Sequence, residues 1–210
     1  MSASRGLWAV VPVKRFAQTK RRLMPQLASH EREALARAML ADVLFALVRT
    51  QSLAGIMVIT GDADAAAMVH AAGAFVVADA ENAGTAAAVT QAARHLAAAG
   101  RDGMLMIPAD VPLITPADVE MIVAAHRAAP SVTLVPASID AGTNALACSP
   151  PSLSRFVLAT TAFAGTGKRR GPVESSRRSC NSRTSGMTST GPMISPLFYC
   201  ARRQRKATRI

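Results

Sequence analysis

Residues 104–115 read MLMIPADVPLIT and open on four consecutive apolar side chains, Met104, Leu105, Met106 and Ile107, closed by Pro108. An unbroken apolar run of that length suits a strand covered on both faces, as in a parallel sheet between layers of helices. Such a strand delivers Asp110 to the carboxyl end of the sheet, the edge at which open α/β sheets bind ligands. Asp110 stands between two prolines with no basic neighbour in sequence, so its charge needs a partner from elsewhere. A hard cation such as Mg²⁺ suits it, because Mg²⁺ is commonly held by one or two carboxylates together with phosphate oxygens.

Outward from this stretch the same cadence repeats. Toward the amino terminus, LWAVVPV at 7–13, IMVIT at 56–60 and FVVA at 75–78 read as further buried strands. Between the first two, Ser29 is the expected N-cap of a long helix. Glu31 and Glu33 suit its positive end, and Leu35, Met39, Val43 and Leu47 recur at helical spacing. Residues 62–72 and 85–99 predict two Ala-rich helices, with Gly73 and Gly100 standing where left-handed caps belong. Strand, helix and glycine in that rhythm predict right-handed βαβ units. Beyond Asp110, Thr115, Pro116 and Asp118 write a helix start, with the helix expected to reach residue 129. Strands are expected at 132–136 and 144–148. The turn between them, Asp140-Ala141-Gly142-Thr143-Asn144, would bring Thr143 and Asn144 to the sheet edge. The fold class is therefore α/β, a Rossmann-like, mostly parallel sheet with helices on both faces. His30 is expected as an exposed first-turn residue, and His70 and His95 fall singly on helices and are taken as structural.

Strand 7–13 runs directly into Lys14, Arg15, Lys20, Arg21 and Arg22. Five cations in nine residues fit a polyphosphate cradle, and they equally fit a solvated basic loop. The overall charge of +11 is not spread over the chain. Residues 1–153 carry 12 basic and 12 acidic side chains, and residues 154–210 carry the other 12 basic ones against Glu174 alone. The basicity belongs to the last quarter, so the α/β part carries no general nucleic-acid signal.

Cys148, Cys180 and Cys200 lie far apart, with no CxxC and no histidine at ligand spacing, which points to free thiols in a reducing compartment. No apolar run approaches the roughly 20 residues a membrane helix needs. A cytoplasmic protein is expected.

Four stretches taken together, VVPVKRFAQTKRRL at 10–23, VITGD at 58–62, IPADVPLITPAD at 107–118 and GTNALACSPP at 142–151, resemble the 2-phospho-L-lactate guanylyltransferase family. That family includes phosphoenolpyruvate and 3-phospho-D-glycerate guanylyltransferases, acts in coenzyme F-420 biosynthesis, and has a nucleotide-diphospho-sugar transferase-like fold. The resemblance covers about residues 7–152. It implies an enzyme that joins GMP from GTP to a phosphorylated three-carbon acid, 2-phospholactate, phosphoenolpyruvate or 3-phosphoglycerate, and releases diphosphate. It implies Lys14, Arg22 and Asp110 as catalytic residues. Pro12, Val13, Lys14, Lys20, Arg22, Thr60 and Asp110 would surround the nucleotide, Asp110 would hold Mg²⁺, and Thr143 with Asn144 would meet the acid. The implied partners are GTP and the small acid, with no membrane and no nucleic acid; a homodimer is compatible with the sequence.

The chain departs from the family pattern twice. An Asn early in the helix after the third strand is replaced, and Ala86 is its expected equivalent. After about Pro151 the family's FG-x-x-S and Asp-x-Asp-Thr-Pro segments are missing, and no Asp follows Asp140. The chain is thus divided into a nucleotidyltransferase-like part, 1–153, and a tail, 154–210. In the tail Arg, Ser, Thr and Gly make up 30 of 57 residues. A shift of reading frame accounts for that composition and its abrupt onset better than a basic tail that binds RNA. Weak or absent activity is the expected consequence, because only Asp110 remains of the metal carboxylates. Two other identities are the alternatives: another nucleotidyltransferase of the same fold, which would want a Gly-rich first loop where this chain has Pro12-Val13-Lys14, and a basic-tailed nucleic-acid binder.

Overall fold

The computed structural model describes residues 6–79, 83–137 and 142–154, together with the backbone of 199–201. The elements follow the expected alternation through β6: β1 (Leu7–Val13), α1 (Ser29–Val48), β2 (Gly55–Thr60), α2 (Ala63–Ala71), β3 (Phe75–Ala78), α3 (Thr85–Ala98), β4 (Gly103–Met106), α4 (Pro116–Ala125), β5 (Ser131–Pro136) and β6 (Thr143–Ser149); a short β7 (Tyr199–Ala201), in the stretch read as a tail, was not expected. They form one sheet in the order β3-β2-β1-β4-β6-β5-β7.

β1 pairs in parallel with β2 and β4, and β2 with β3. β6 is antiparallel to both β4 and β5, and β7 is antiparallel to β5. Strands β1 to β5 therefore point the same way, and β6 and β7 run against them, so the mostly parallel sheet is borne out. The reversal follows from chain length: β5 and β6 are too close in sequence for a crossover helix and can only form a hairpin-like pair.

Helices cover both faces. Leu40, Val43 and Leu47 of α1, Ala65 and Val69 of α2, and Val119 and Ile122 of α4 pack with Ala9, Val11, Val58 and Leu105 on one side. On the other, Ala88, Val89, Ala92 and Leu96 of α3 pack with Trp8, Val10, Ile59, Met104 and Met106. The alternation along β1, with Ala9 and Val11 facing one core and Trp8 and Val10 the other, is why its sequence shows no polar residue. Gly73 and Gly100 take the left-handed conformation expected of them, with φ of 71° and 65°.

Two helix ends differ from expectation. The N-cap of α1 is Ala28, and Ser29 is the first helical residue. Glu31 supplies the cap instead, its Oε2 accepting from the Ala28 N–H at 2.7 Å, which frees the Ser29 hydroxyl to donate to Glu33. α4 stops at Ala125 rather than 129, because His126 is extended, with ψ 131°. Its ring lies 2.9 Å from both Thr133 Oγ1 and Ser149 Oγ, and this pair of contacts holds the chain against β5 and β6. Asp140 and Ala141 of the expected turn, and nearly all of 154–210 with Cys180, lie outside the described residues. Among the described residues no helix is long and apolar enough to cross a membrane.

Candidate functional site

Strand direction gathers the chemistry. Val13 pairs with Thr60 and Thr60 with Ala78, so Lys14, Gly61 and Asp79 leave the sheet side by side. Met106 pairs with Leu146 in the antiparallel sense, so Thr143, the first residue of β6, comes to the edge from which β4 departs toward Asp110. One rim therefore carries the loop after β1, the start of α2, Asp110 and Thr143.

The loop after β1 is pinned from below. Asp62 caps α2 by accepting from the Ala65 N–H at 3.1 Å, and its second oxygen accepts from the Phe16 N–H at 2.8 Å. Thr60, buried at this edge, accepts from the Asp62 N–H through Oγ1 at 3.1 Å. Thr60 thus sits beneath the rim and holds the backbone of Asp62, the residue that pins the loop. Gly61 is needed for the close approach: a Cβ there would lie 2.8 Å from the Asp79 carbonyl oxygen. Phe16, almost fully buried, anchors the loop to the core under α1.

From that anchor the cations fan out. Lys20, a non-glycine residue at φ 51°, donates Nζ to Asp110 Oδ2 at 2.9 Å. Sequence gave Asp110 no basic neighbour; the fold supplies one from 90 residues away. Beside this pair opens a cavity of about 650 Å³ lined by Lys14, Ala17, Gln18, Arg21, Met24, Arg32 and Gly84. Lys14 and Arg21 are exposed, and Gly84 is the residue before the first turn of α3. Among the described residues the lining holds three cations and no carboxylate, so its field favours anions.

The expected residues therefore divide by position. Lys14 lines the cavity, Lys20 and Asp110 form the pair beside it, and Val13 and Pro12 end the strand that presents Lys14. Arg21 of the 3₁₀ turn Arg21–Leu23 lines the cavity, whereas Arg22 is exposed and does not. Thr143 and Asn144 are half-buried at the rim. Arg32 is the residue that sequence did not single out. It was hidden among the charged residues of the first turn of α1, yet it is 8% exposed and its Nε has no hydrogen-bond partner.

Among the described residues no three His, Cys, Asp or Glu side chains cluster as a metal site. Asp110 stands as a single carboxylate, and Asp62 is committed to backbone N–H groups. At the opposite edge of the sheet burial pushes the His126 pKa down. Cys148 in β6 is a free, buried thiol with its pKa pushed up to about 12, which leaves it inert.

The guanylyl transferase CofC-like family matches residues 7–163. A phosphoenolpyruvate guanylyltransferase of Conexibacter woesei is 37% identical over 145 residues, which are 69% of this chain and 65% of that protein. A 2-phospho-L-lactate guanylyltransferase of Methanothermobacter thermautotrophicus is 34% identical over 146 residues, 70% of this chain and 63% of that one. A 3-phospho-D-glycerate guanylyltransferase of Colwellia psychrerythraea is 33% identical over 148 residues, 70% of each. The match thus spans slightly less than two thirds of the first two relatives. Among solved structures, a protein from Desulfovibrio desulfuricans G20 assigned as a nucleotide-diphospho-sugar transferase superposes with a TM-score of 0.55 at 17% identity, over 69% of this chain and 64% of that one. A 4-diphosphocytidyl-2C-methyl-D-erythritol synthase gives 0.53 at 16% identity, over 78% and 86%. The solved structures establish the nucleotidyltransferase-type fold, the sequence match covers β1 to β6 with the rim that they build, and the chain belongs to the CofC-like guanylyl transferase family.

Proposed function

We propose that this chain binds GTP over the loop after β1 and transfers its guanylyl group to a phosphorylated three-carbon acid held near Thr143 and Asn144, releasing diphosphate. Phosphoenolpyruvate, 2-phospholactate and 3-phosphoglycerate are the acids for which its relatives are named. The reaction belongs to coenzyme F-420 biosynthesis in the cytoplasm. The observation that carries this is the meeting of Lys20 and Asp110 at the rim, beside a cavity whose described lining is charged only by cations.

An acid phosphate oxygen attacks the α-phosphorus, the bond to the β-phosphate breaks, and its electron pair leaves on diphosphate. Lys14 and Arg21 stand where the leaving charge collects, and Arg22 adds positive charge from the same turn. Lys20 exchanges Asp110 for a phosphate oxygen when the nucleotide enters. Asp110, then released, would be the residue to hold Mg²⁺, which is commonly bound through one or two carboxylates; the metal would supply charge neutralisation for the phosphates. With one protein carboxylate on the metal, transfer is slow.

The test is thermal unfolding with and without nucleotide, followed by product analysis. GTP with Mg²⁺ raises Tm more than ATP or GMP does, and prolonged incubation with one of the three acids yields a guanylylated acid and diphosphate. No stabilisation by GTP, combined with salt-sensitive RNA binding lost on deleting residues 154–210, would replace this function with nucleic-acid binding.

A further inference from the structure

We infer that Arg32 is a phosphate-binding residue of this site, receiving the diphosphate end of the nucleotide at the bottom of the cavity. The inference rests on the proposed nucleotide site and adds to it a residue from α1, outside the basic loop. Arg32 is more than nine-tenths buried, and among the described residues no carboxylate pairs with it. Among the described residues its guanidinium makes one hydrogen bond, from a terminal nitrogen to Ser29 Oγ at 3.3 Å, and its Nε is buried without a partner. A guanidinium has five N–H donors and cannot shed its proton, so burying its Nε–H without a partner is expensive. A protein keeps such a group where an anion completes it.

The surroundings say which anion. Arg32 lines the same cavity as Lys14 and Arg21. Gly84, which also lines it, precedes α3, a helix of 14 residues with no side chain capping its amino terminus among the described residues. Three cations and the positive end of a helix dipole converge on one space, a combination suited to several negative oxygens at once. Diphosphate carries more charge than the single phosphate of the acid, and Thr143 and Asn144, where the acid is placed, do not line this cavity.

The experiment compares the full chain with Arg32→Met and Arg32→Lys, using inorganic diphosphate, GMP and phosphoenolpyruvate as probes in titration calorimetry and thermal unfolding. Arg32→Met removes an uncompensated buried charge and keeps the apolar stem, so without ligand its Tm equals or exceeds that of the wild type. It loses at least tenfold in diphosphate and GTP affinity, while GMP affinity is unchanged; Arg32→Lys recovers part of the loss. A lowered Tm with undiminished diphosphate binding would overturn the assignment and make Arg32 a structural residue. Loss of phosphoenolpyruvate binding alone would move it to the acid. Should Arg32→Met fail to fold, the Nε resonance of Arg32 in the wild type, assigned with Arg32→Lys, shifts on adding diphosphate, and an unmoved resonance overturns the inference. A wild type that binds diphosphate but not GTP defeats the guanylyl-transfer reading and leaves Arg32 as an anion site.

Discussion

Lys20 Nζ and Asp110 Oδ2 lie 2.9 Å apart across the rim of the sheet, one from the loop after β1 and the other from the turn after β4. Asp110 is 56% exposed, so the pair contributes at most about 1 kcal/mol to stability. Its position therefore reflects the charge that the rim is built to receive. Lys20→Met should leave the urea midpoint almost unchanged and weaken GTP binding several-fold. A large loss of stability with normal GTP affinity would show the pair to be structural.

Asp62 joins the start of α2 to the loop after β1 through two carboxylate hydrogen bonds. Asp62→Ala removes a helix cap and leaves the Phe16 N–H without its acceptor, an expected cost of about 1–3 kcal/mol. Asp62→Asn keeps one acceptor oxygen and should fall between. Urea unfolding checks both, and GTP affinity should decline in the same order because the loop carries Lys14 and Lys20.

Gly61 has no room for a side chain, since its Cβ would stand 2.8 Å from the Asp79 carbonyl oxygen. Gly61→Ala must push β3 and the rim apart, at an expected cost of about 1–3 kcal/mol. Gly73→Ala is different: a Cβ there meets nothing, and its φ of 71° makes the cost one of backbone strain. It should lower Tm without altering GTP affinity, whereas Gly61→Ala lowers both.

The pH dependence of folding should carry a contribution from His126. Burial holds its pKa below the ordinary 6.5, so the folded chain stays unprotonated where the unfolded chain takes up a proton. The contribution is whole above about pH 6.5 and is lost as pH falls from there toward the lower folded value. Thermal unfolding between pH 7.5 and 5 should show this decline, and His126→Gln should flatten it. An equal slope in both proteins would assign the pH dependence to other groups.

Much of this architecture is written locally. Apolar runs bounded by Gly61, Pro108 and the cap signals of Thr115 are consequences of backbone chemistry, and strands β1 to β6 emerged within a residue or two of their expected bounds, whereas β7 lies in the tail, where no strand was expected. The rim followed from the strand ends, which brought Lys14, Asp110 and Thr143 to one edge. The pairing of Lys20 with Asp110 was not legible, because it depends on a 3₁₀ turn and a left-handed residue, neither of which has a hydrophobic period. For the same reason the choice of Arg22 from sequence fell one residue away from Arg21, which lines the cavity. Arg32 was invisible because its neighbours Glu31 and Glu33 make a solvated first turn, and its burial is set by how the preceding loop folds. His126 ended α4 early through two hydroxyls from strands that are distant until the sheet forms.

The dependence of GTP affinity on Mg²⁺ tests the central claim most directly, measured by calorimetry for the wild type and Asp110→Asn, each in Mg²⁺ and in EDTA. Asp110 acting as the protein ligand of a nucleotide-bound metal predicts that Mg²⁺ tightens GTP binding to the wild type at least tenfold and leaves Asp110→Asn nearly indifferent. Equal Mg²⁺ enhancement in both proteins, or GTP binding to neither, would contradict it.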